Sequence, residues 1–328
     1  MSGGLGGFFA AFFTFIVSFF PRAVMQGIPL LAGSTGETIT EKSGHLNLGI
    51  PGIMYVGAIS GVIGAFFYEQ ATVGAGKPMI GILAVLIPML CCLLGSFLMG
   101  LLYCFLTVTL RANQNVTGLA MTMFGVGFGN FFGGSLIKLA HSEVPSLTFA
   151  STCNFFGDGK IPGWLAYLGI GIAILASVFL RFTRKGMQLR AVGENPATAD
   201  AAGINVTRYK YVATVVGSMI AGLGGLYYVM ECAHGTWANE GFGDRGWLAI
   251  ALVIFTTWRP SVSIFASILF GGLIILSEHL SLPLGVKELY KLAPYVVTLL
   301  VLIIVSLRKK RENQPPQSLG LAYFREER

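Results

Sequence analysis

Five uncharged hydrogen-bonding side chains stand beside long apolar runs. Asn47 lies in EKSGHLNLGIPGIM (residues 41–54), and Asn113, Gln114, Asn115 and Thr117 lie in RANQNVTG (residues 111–118). Neutral amides and hydroxyls donate and accept hydrogen bonds without a counter-ion, so they suit contact with a neutral, hydroxyl-rich solute. Each has a plainer alternative, since Asn47 can cap a helix at a membrane edge and the 113–117 group can cap the apolar segment that follows. Other chemistries find little footing. His45, His141, His234 and His279 are scattered without spacing partners, and Cys91, Cys92, Cys104, Cys153 and Cys232 share no ligand spacing. A catalytic triad, a metal centre and a disulfide framework are therefore not expected, and no cofactor is implied. Gly241, Gly243 and Gly246 fit G-x-G-x-x-G, but a dinucleotide site needs a preceding strand and a βαβ unit. These glycines are expected to permit a tight re-entrant turn and close helix packing.

The elements that must position these groups follow from composition. The chain of 328 residues is 54% hydrophobic and 11% charged, where a soluble domain carries about 25% charged residues. Runs without Asp, Glu, Lys or Arg cover residues 46–68, 79–110, 112–137, 161–180, 211–230, 246–258, 260–277 and 292–307. Several reach the roughly 20 residues that cross about 30 Å of hydrocarbon. A further apolar stretch, 5–33, is interrupted by Pro21 and Arg22, and it has neither a basic leader nor an A-x-A-type site, so it is expected to remain part of the structure. The fold class expected is all-α, a polytopic helix bundle of eight or nine membrane segments, with 246–258 too short to cross alone. Helices are required because backbone groups in lipid must be satisfied within the segment, and no period-two alternation supports a barrel. Pro51, Gly44, Gly49 and Gly52 disfavour a continuous helix around Asn47. A broken helix at membrane depth should line a path or be buried in protein, and here it is expected to offer backbone groups to a passing solute.

Charge assigns sides. If residues 34–45, Arg111, 181–210, Arg259 and the tail from Arg308 share one side, that side holds most of the 22 Lys and Arg residues but under half of the 15 acids. This is the positive-inside pattern, and it makes the C-terminus cytoplasmic. The net charge of +7 then reports topology rather than nucleic-acid binding. The spans are nearly free of ionisable groups, Arg22 being the exception, which argues against ion-coupled transport. No G-x-x-x-x-G-K-[ST] loop is present, so nucleotide hydrolysis is not expected from this chain. On the charged side, Asn195 as N-cap, Pro196 at the first helical position and Gly203 at the end predict a short helix over 196–202. Its shape fits a groove on a partner, although shape alone favours an ordinary surface helix.

Four blocks in order, EKSGHLNLGIPGIMYVGAISG, RANQNVTGLAMTM, GMQLRAVGENPATADAAGI and DRGWLAIALVIFTTWRPSVSIFASILFGGL, resemble the permease subunits of bacterial ABC importers. Within these the chain is most similar to the branch serving nucleosides and simple sugars, related to ribose and branched-chain amino acid permeases. The resemblance implies a multi-pass protein of the bacterial cytoplasmic (inner) membrane, not itself an enzyme, with residues 1–307 as one permease domain and 308–328 as a basic cytoplasmic tail. It implies partners: cytoplasmic ABC ATPase subunits, a second permease in a homo- or heterodimer, and an extracellular substrate-binding lipoprotein or periplasmic protein. Within a coupling loop at about 184–210, the stretch that includes Glu194, Asn195, Pro196, Ala199, Asp200 and Gly203 would engage the ATPase. The expected cargo is a nucleoside, with ribose- or galactose-like sugars as the alternative. One departure stands out: NLGIPG carries Pro51 where the branch commonly has an acid, which removes a charge and a backbone donor.

Overall fold

The computed structural model describes residues 4–140, 146–148, 150–157, 161–279, 289–290, 292–307 and 314–324. The basic run 308–311 and His141 lie outside them. Helix α1 runs Gly4–Glu41 and α2 Ile50–Thr72. Helix α3, Gly81–Cys104, continues through a π-turn, Phe105–Thr109, and α4 follows at Gln114–Leu139. A short strand β1 (Ser146–Thr148) and helix α5 (Ala150–Cys153) precede α6 (Trp164–Phe182), α7 (Arg184–Glu194) and α8 (Pro196–Ala201). Helix α9, Val206–Tyr227, also ends in a π-turn, Tyr228–Cys232. Strand β2 (Thr236–Ala238) pairs antiparallel with β1, and α10 (Arg245–Phe255), α11 (Pro260–His279) and α12 (Ala293–Leu307) complete the bundle.

Among the described residues the regular structure is helical apart from that small two-stranded sheet. Five helices among the described residues are long and apolar enough to cross a membrane, at 50–75, 81–109, 114–139, 164–182 and 206–232. Shorter apolar helices lie at 245–255, 260–276 and 293–303. Helix α2 is the hub, packed between α3, α4 and α9, while α1 lies against α9, α10 and α11. Without a hydrophobic drive between helices in lipid, close approach through small residues supplies the attraction. A Cβ on Gly125 would stand 2.5 Å from the Gly52 Cα, and one on Gly57 2.6 Å from the Gly222 Cα, so α2 touches α4 and α9 backbone to backbone. The outer faces of α3, α4 and α6 expose Leu90, Leu94, Phe131 and Leu175, as lipid-facing surfaces do.

Two elements depart from expectation. Helix α1 does not stop near residue 33 but continues through Ser34–Thr40 to Glu41, with Ser34, Thr35, Glu37 and Thr38 all buried. Three hydroxyls of this polar stretch return hydrogen bonds to their own helix, Ser34 Oγ to Leu31 O at 3.1 Å, Thr38 Oγ1 to Ser34 O at 2.7 Å and Thr40 Oγ1 to Gly36 O at 3.1 Å, while the Thr35 hydroxyl has no partner. Polarity that resembles a loop is thereby compatible with a buried helix. The break around Asn47 is confined to residues 42–49: Pro51 occupies the first turn of α2, where its missing N–H costs nothing.

Candidate functional site

Four segments meet at one end of the bundle: the break after α1, the α3–α4 connection, the α7–α8 region and the C-terminal stretch 314–324. Gly44, in the left-handed conformation at φ +77°, lets the break turn back, and a Cβ there would stand 3.1 Å from the Gly193 Cα and also crowd the Ser318 hydroxyl. Ser318 N donates to Gly193 O at 3.1 Å, and its hydroxyl to the same oxygen at 2.6 Å. Further along the tail, Gln114 Nε2 donates to Leu321 O at 3.4 Å, the Arg111 guanidinium lies 4.7 Å over the Phe324 ring, and Tyr323 OH donates to Asp200 Oδ2 at 2.9 Å. The tail thus straps the α7–α8 region to the break and to the start of α4. Lys42 sits 5.9 Å over the Trp258 ring, which brings the turn between α10 and α11 to the same end. The described members of the charge group read from sequence, Lys42, Arg111, residues 181–210 and Arg259, therefore share one end.

The break is held by side chains. Leu46 N donates to Gln114 Oε1 at 2.8 Å, and Leu46 O accepts the Tyr103 hydroxyl. Asn47 N donates to Glu37 Oε1 at 3.0 Å, Leu48 O accepts from Thr122 Oγ1 at 2.8 Å, and Gly49 N donates to Asn47 Oδ1 at 2.9 Å. This corrects the expectation that the break offers its backbone to a solute: these groups are taken up within the chain, as buried backbone demands. Asn47 is fully buried, and its Nδ2 and the second oxygen of Glu37 are left without partners. His45, also fully buried, places one ring nitrogen 2.8 Å from Thr214 Oγ1 and the other 2.8 Å from Thr107 Oγ1. Burial, helped by the charge of Lys210, pulls its pKa down to about 3, so the ring is neutral. Burial likewise lowers the Lys42 ammonium, partly offset by Glu194.

The remaining candidates divide. Asn113 is exposed and caps α4, accepting from Asn115 N at 3.0 Å and Val116 N at 3.2 Å. Asn115 is exposed, Thr117 half-buried and Gln114 buried against the break. Helix α8 forms where predicted, with Asn195 Oδ1 accepting from Thr198 N at 3.1 Å, Pro196 in its first turn and Gly203 left-handed at φ +82°. Ala199 points inward, packed with Val192 and Val206, so α8 presents Ala197, Thr198 and Ala201 to solvent. Glu194 and Asn195 are exposed beside them.

Several functional-grade groups escaped the sequence reading. Glu41 accepts from the Trp258 indole N–H and joins the α10–α11 turn to α1. Glu231, buried at the other end of α9, accepts from Gly163 N at 2.8 Å. Arg245 is half-buried, donates to Gln26 Oε1 at 3.0 Å and lies 4.4 Å over the Tyr228 ring. Gln26 is about 22 Å along α1 from Glu41, so the chain enters α10 far from the break. The Gly-x-Gly-x-x-Gly stretch makes that entry: Gly243 is left-handed at φ +56° and Gly246 packs on Pro51. The expected tight turn and close packing are both present. These acids and this arginine border apolar runs, and one sequence carries no sign that such residues turn inward.

Comparison with known proteins completes the picture. The guanosine ABC transporter permease protein NupQ of Bacillus subtilis is 28% identical over 303 residues, covering 86% of this chain and 90% of NupQ. The nucleoside ABC transporter permease protein NupC of Lactococcus lactis is 32% identical over 296 residues, with the same coverages of 86% and 90%. A putative glucose ABC transporter permease protein, TsgC13 of Haloferax volcanii, is 28% identical over 344 residues, covering 95% of this chain and 99% of the relative. No solved structure matches. Residues 19–306 match the family described as branched-chain amino acid transport system / permease component, and the chain, a helical bundle with apolar membrane-length helices, belongs to that family of ABC transport permeases.

Proposed function

We propose that the chain forms, with a second permease, the pathway by which an ABC importer moves nucleosides across the cytoplasmic membrane, driven by separate ATPase subunits and fed by an extracellular binding protein. The observation that carries the coupling role is the short capped helix α8, whose outer face is small and solvent-exposed while its neighbours are strapped to the broken α1–α2 segment by the tail. A push on α8 has a short mechanical route to the break through Gly193, Ser318 and Gly44. The positive-inside bias supports a cytoplasmic face at this end, and with it a cytoplasmic C-terminus. Asn115 is exposed and Thr117 half-buried at the start of α4, whereas Asn47 and Gln114 are engaged in holding the break closed. Contact of the latter pair with cargo therefore requires the break to open. Nucleosides lead because the relatives NupQ and NupC carry them in their names; TsgC13 keeps sugars as the second reading.

The test is uptake by proteoliposomes containing this chain, its second permease, the ATPase and the binding protein. Labelled guanosine should accumulate with ATP and glucose should not. Ala197→Trp or Ala201→Trp on the outer face of α8 should remove ATP-driven uptake while leaving the melting midpoint of the permease unchanged. Wild-type uptake in both variants would remove α8 from the coupling role, and accumulation of glucose alone would replace nucleosides with sugars.

A further inference from the structure

A second feature at the same end of the molecule has chemistry that transport of a neutral solute does not use. A cavity of about 550 Å³ is bounded by the π-turn of α3 (Thr107), Arg111, the α8–α9 link (Gly203–Asn205), the first turn of α9 and Tyr323 of the tail. Three cations line it: Arg111, Arg208 and Lys210. Lys210 is 3% exposed, and no carboxylate among the described residues stands close enough to offset its burial. Asp200, the acid that lines the cavity, is engaged by the Tyr323 hydroxyl at 2.9 Å. A buried unpaired ammonium is costly, and proteins normally supply it with an anion. The first turn of α9 adds to the same demand: its N–H groups have no intrahelical acceptor, and the Asn205 side chain takes up that of Arg208 alone. Arg111, which lines this cavity, holds a left-handed backbone at φ 58°, a conformation that costs a non-glycine residue free energy and recurs at binding sites.

We propose that this cavity binds a phosphate-bearing anion held by Lys210, Arg111, Arg208 and the N-terminus of α9. Such an anion would touch the α3–α4 connection, the α8–α9 link and the tail together, and so would favour the arrangement in which α8 is strapped to the rest of the bundle. The phosphate can come from a soluble nucleotide or from a phospholipid headgroup at the membrane surface.

The experiment is direct binding and thermal melting of the purified full chain, which does not depend on the transport reading. Inorganic phosphate and guanosine monophosphate are the probes, with uncharged guanosine as the control. Both anions should bind saturably and raise the melting midpoint, and the rise should be absent with guanosine. Lys210→Met and Arg111→Gly each remove a cost from the unliganded protein, so both should fold, yet each should weaken anion binding about tenfold or more. Repeating the titration in nanodiscs separates the sources. If soluble anions bind equally in phosphatidylcholine and phosphatidylglycerol discs, the ligand is soluble; if phosphatidylglycerol suppresses their binding in the wild type, the headgroup occupies the site. Absence of saturable anion binding, or equal binding by wild type and both variants, would overturn the proposal.

Discussion

Glu37 shows how one buried carboxyl group sets the geometry of the break. Its Oε1 accepts the Asn47 N–H at 3.0 Å, so Glu37→Ala leaves a buried donor unpaired and should cost about 1–3 kcal/mol before the cavity it opens is counted. Glu37→Gln keeps the acceptor and should retain most of that stability, and melting of the two purified variants checks the difference. His45 makes a pH prediction. Its folded pKa of about 3 lies below the ordinary histidine value of 6.5, so the unfolded chain binds the extra proton between those limits. The stability it contributes is full above pH 6.5 and falls, by up to about 1.4 kcal/mol per pH unit, as pH drops toward 3. His45→Gln should flatten that part of the profile, and subtracting the two melting profiles isolates His45 from other buried groups. At this scale the sequence was only half informative. Asn113 and Asn195 cap as their types and neighbours suggest, because capping is a local interaction. The burial of Glu37, Glu41, His45 and Asn47 depends on α9, α10 and α4 packing around them, which no local pattern encodes.

Elements were legible where the signal is local. The apolar runs became helices, and Asn195, Pro196 and Gly203 bounded α8 almost to the residue. Helix α1 was cut short in the sequence reading because Ser34–Thr40 is polar, and the β1–β2 pair was missed because three-residue strands far apart in the chain leave no periodicity. The α2–α4 contact has a sharp test. Gly125→Leu would force a side chain into the Gly52 backbone, so it should destabilise by about 1–3 kcal/mol or more, measured as a fall in the melting midpoint. Gly127→Leu on the same helix, where the added Cβ meets nothing within 4 Å, should leave the midpoint unchanged. Removing the α8 cap with Asn195→Ala should cost about 1 kcal/mol and lower ATP-driven uptake more than it lowers the midpoint, since α8 has few other local supports.

Across the whole molecule, charge and connectivity agree. Among the described residues, Lys42, Arg111, Arg259 and the Lys- and Arg-rich stretch 181–210 gather at the end that carries α8, the break and residues 314–324, while Glu231, Gly163 and the β1–β2 pair occupy the other end. The family, legible from four sequence blocks, is matched over residues 19–306, whereas the strap formed by 314–324 lies beyond those blocks and emerged only from the fold. The central claim is that this bundle has no motor of its own and is moved through α8. Its most direct test is solute accumulation in proteoliposomes with and without the ATPase subunits. The account predicts guanosine accumulation that requires both ATP and those subunits; uphill accumulation by the purified chain alone, under an ion gradient, would contradict it.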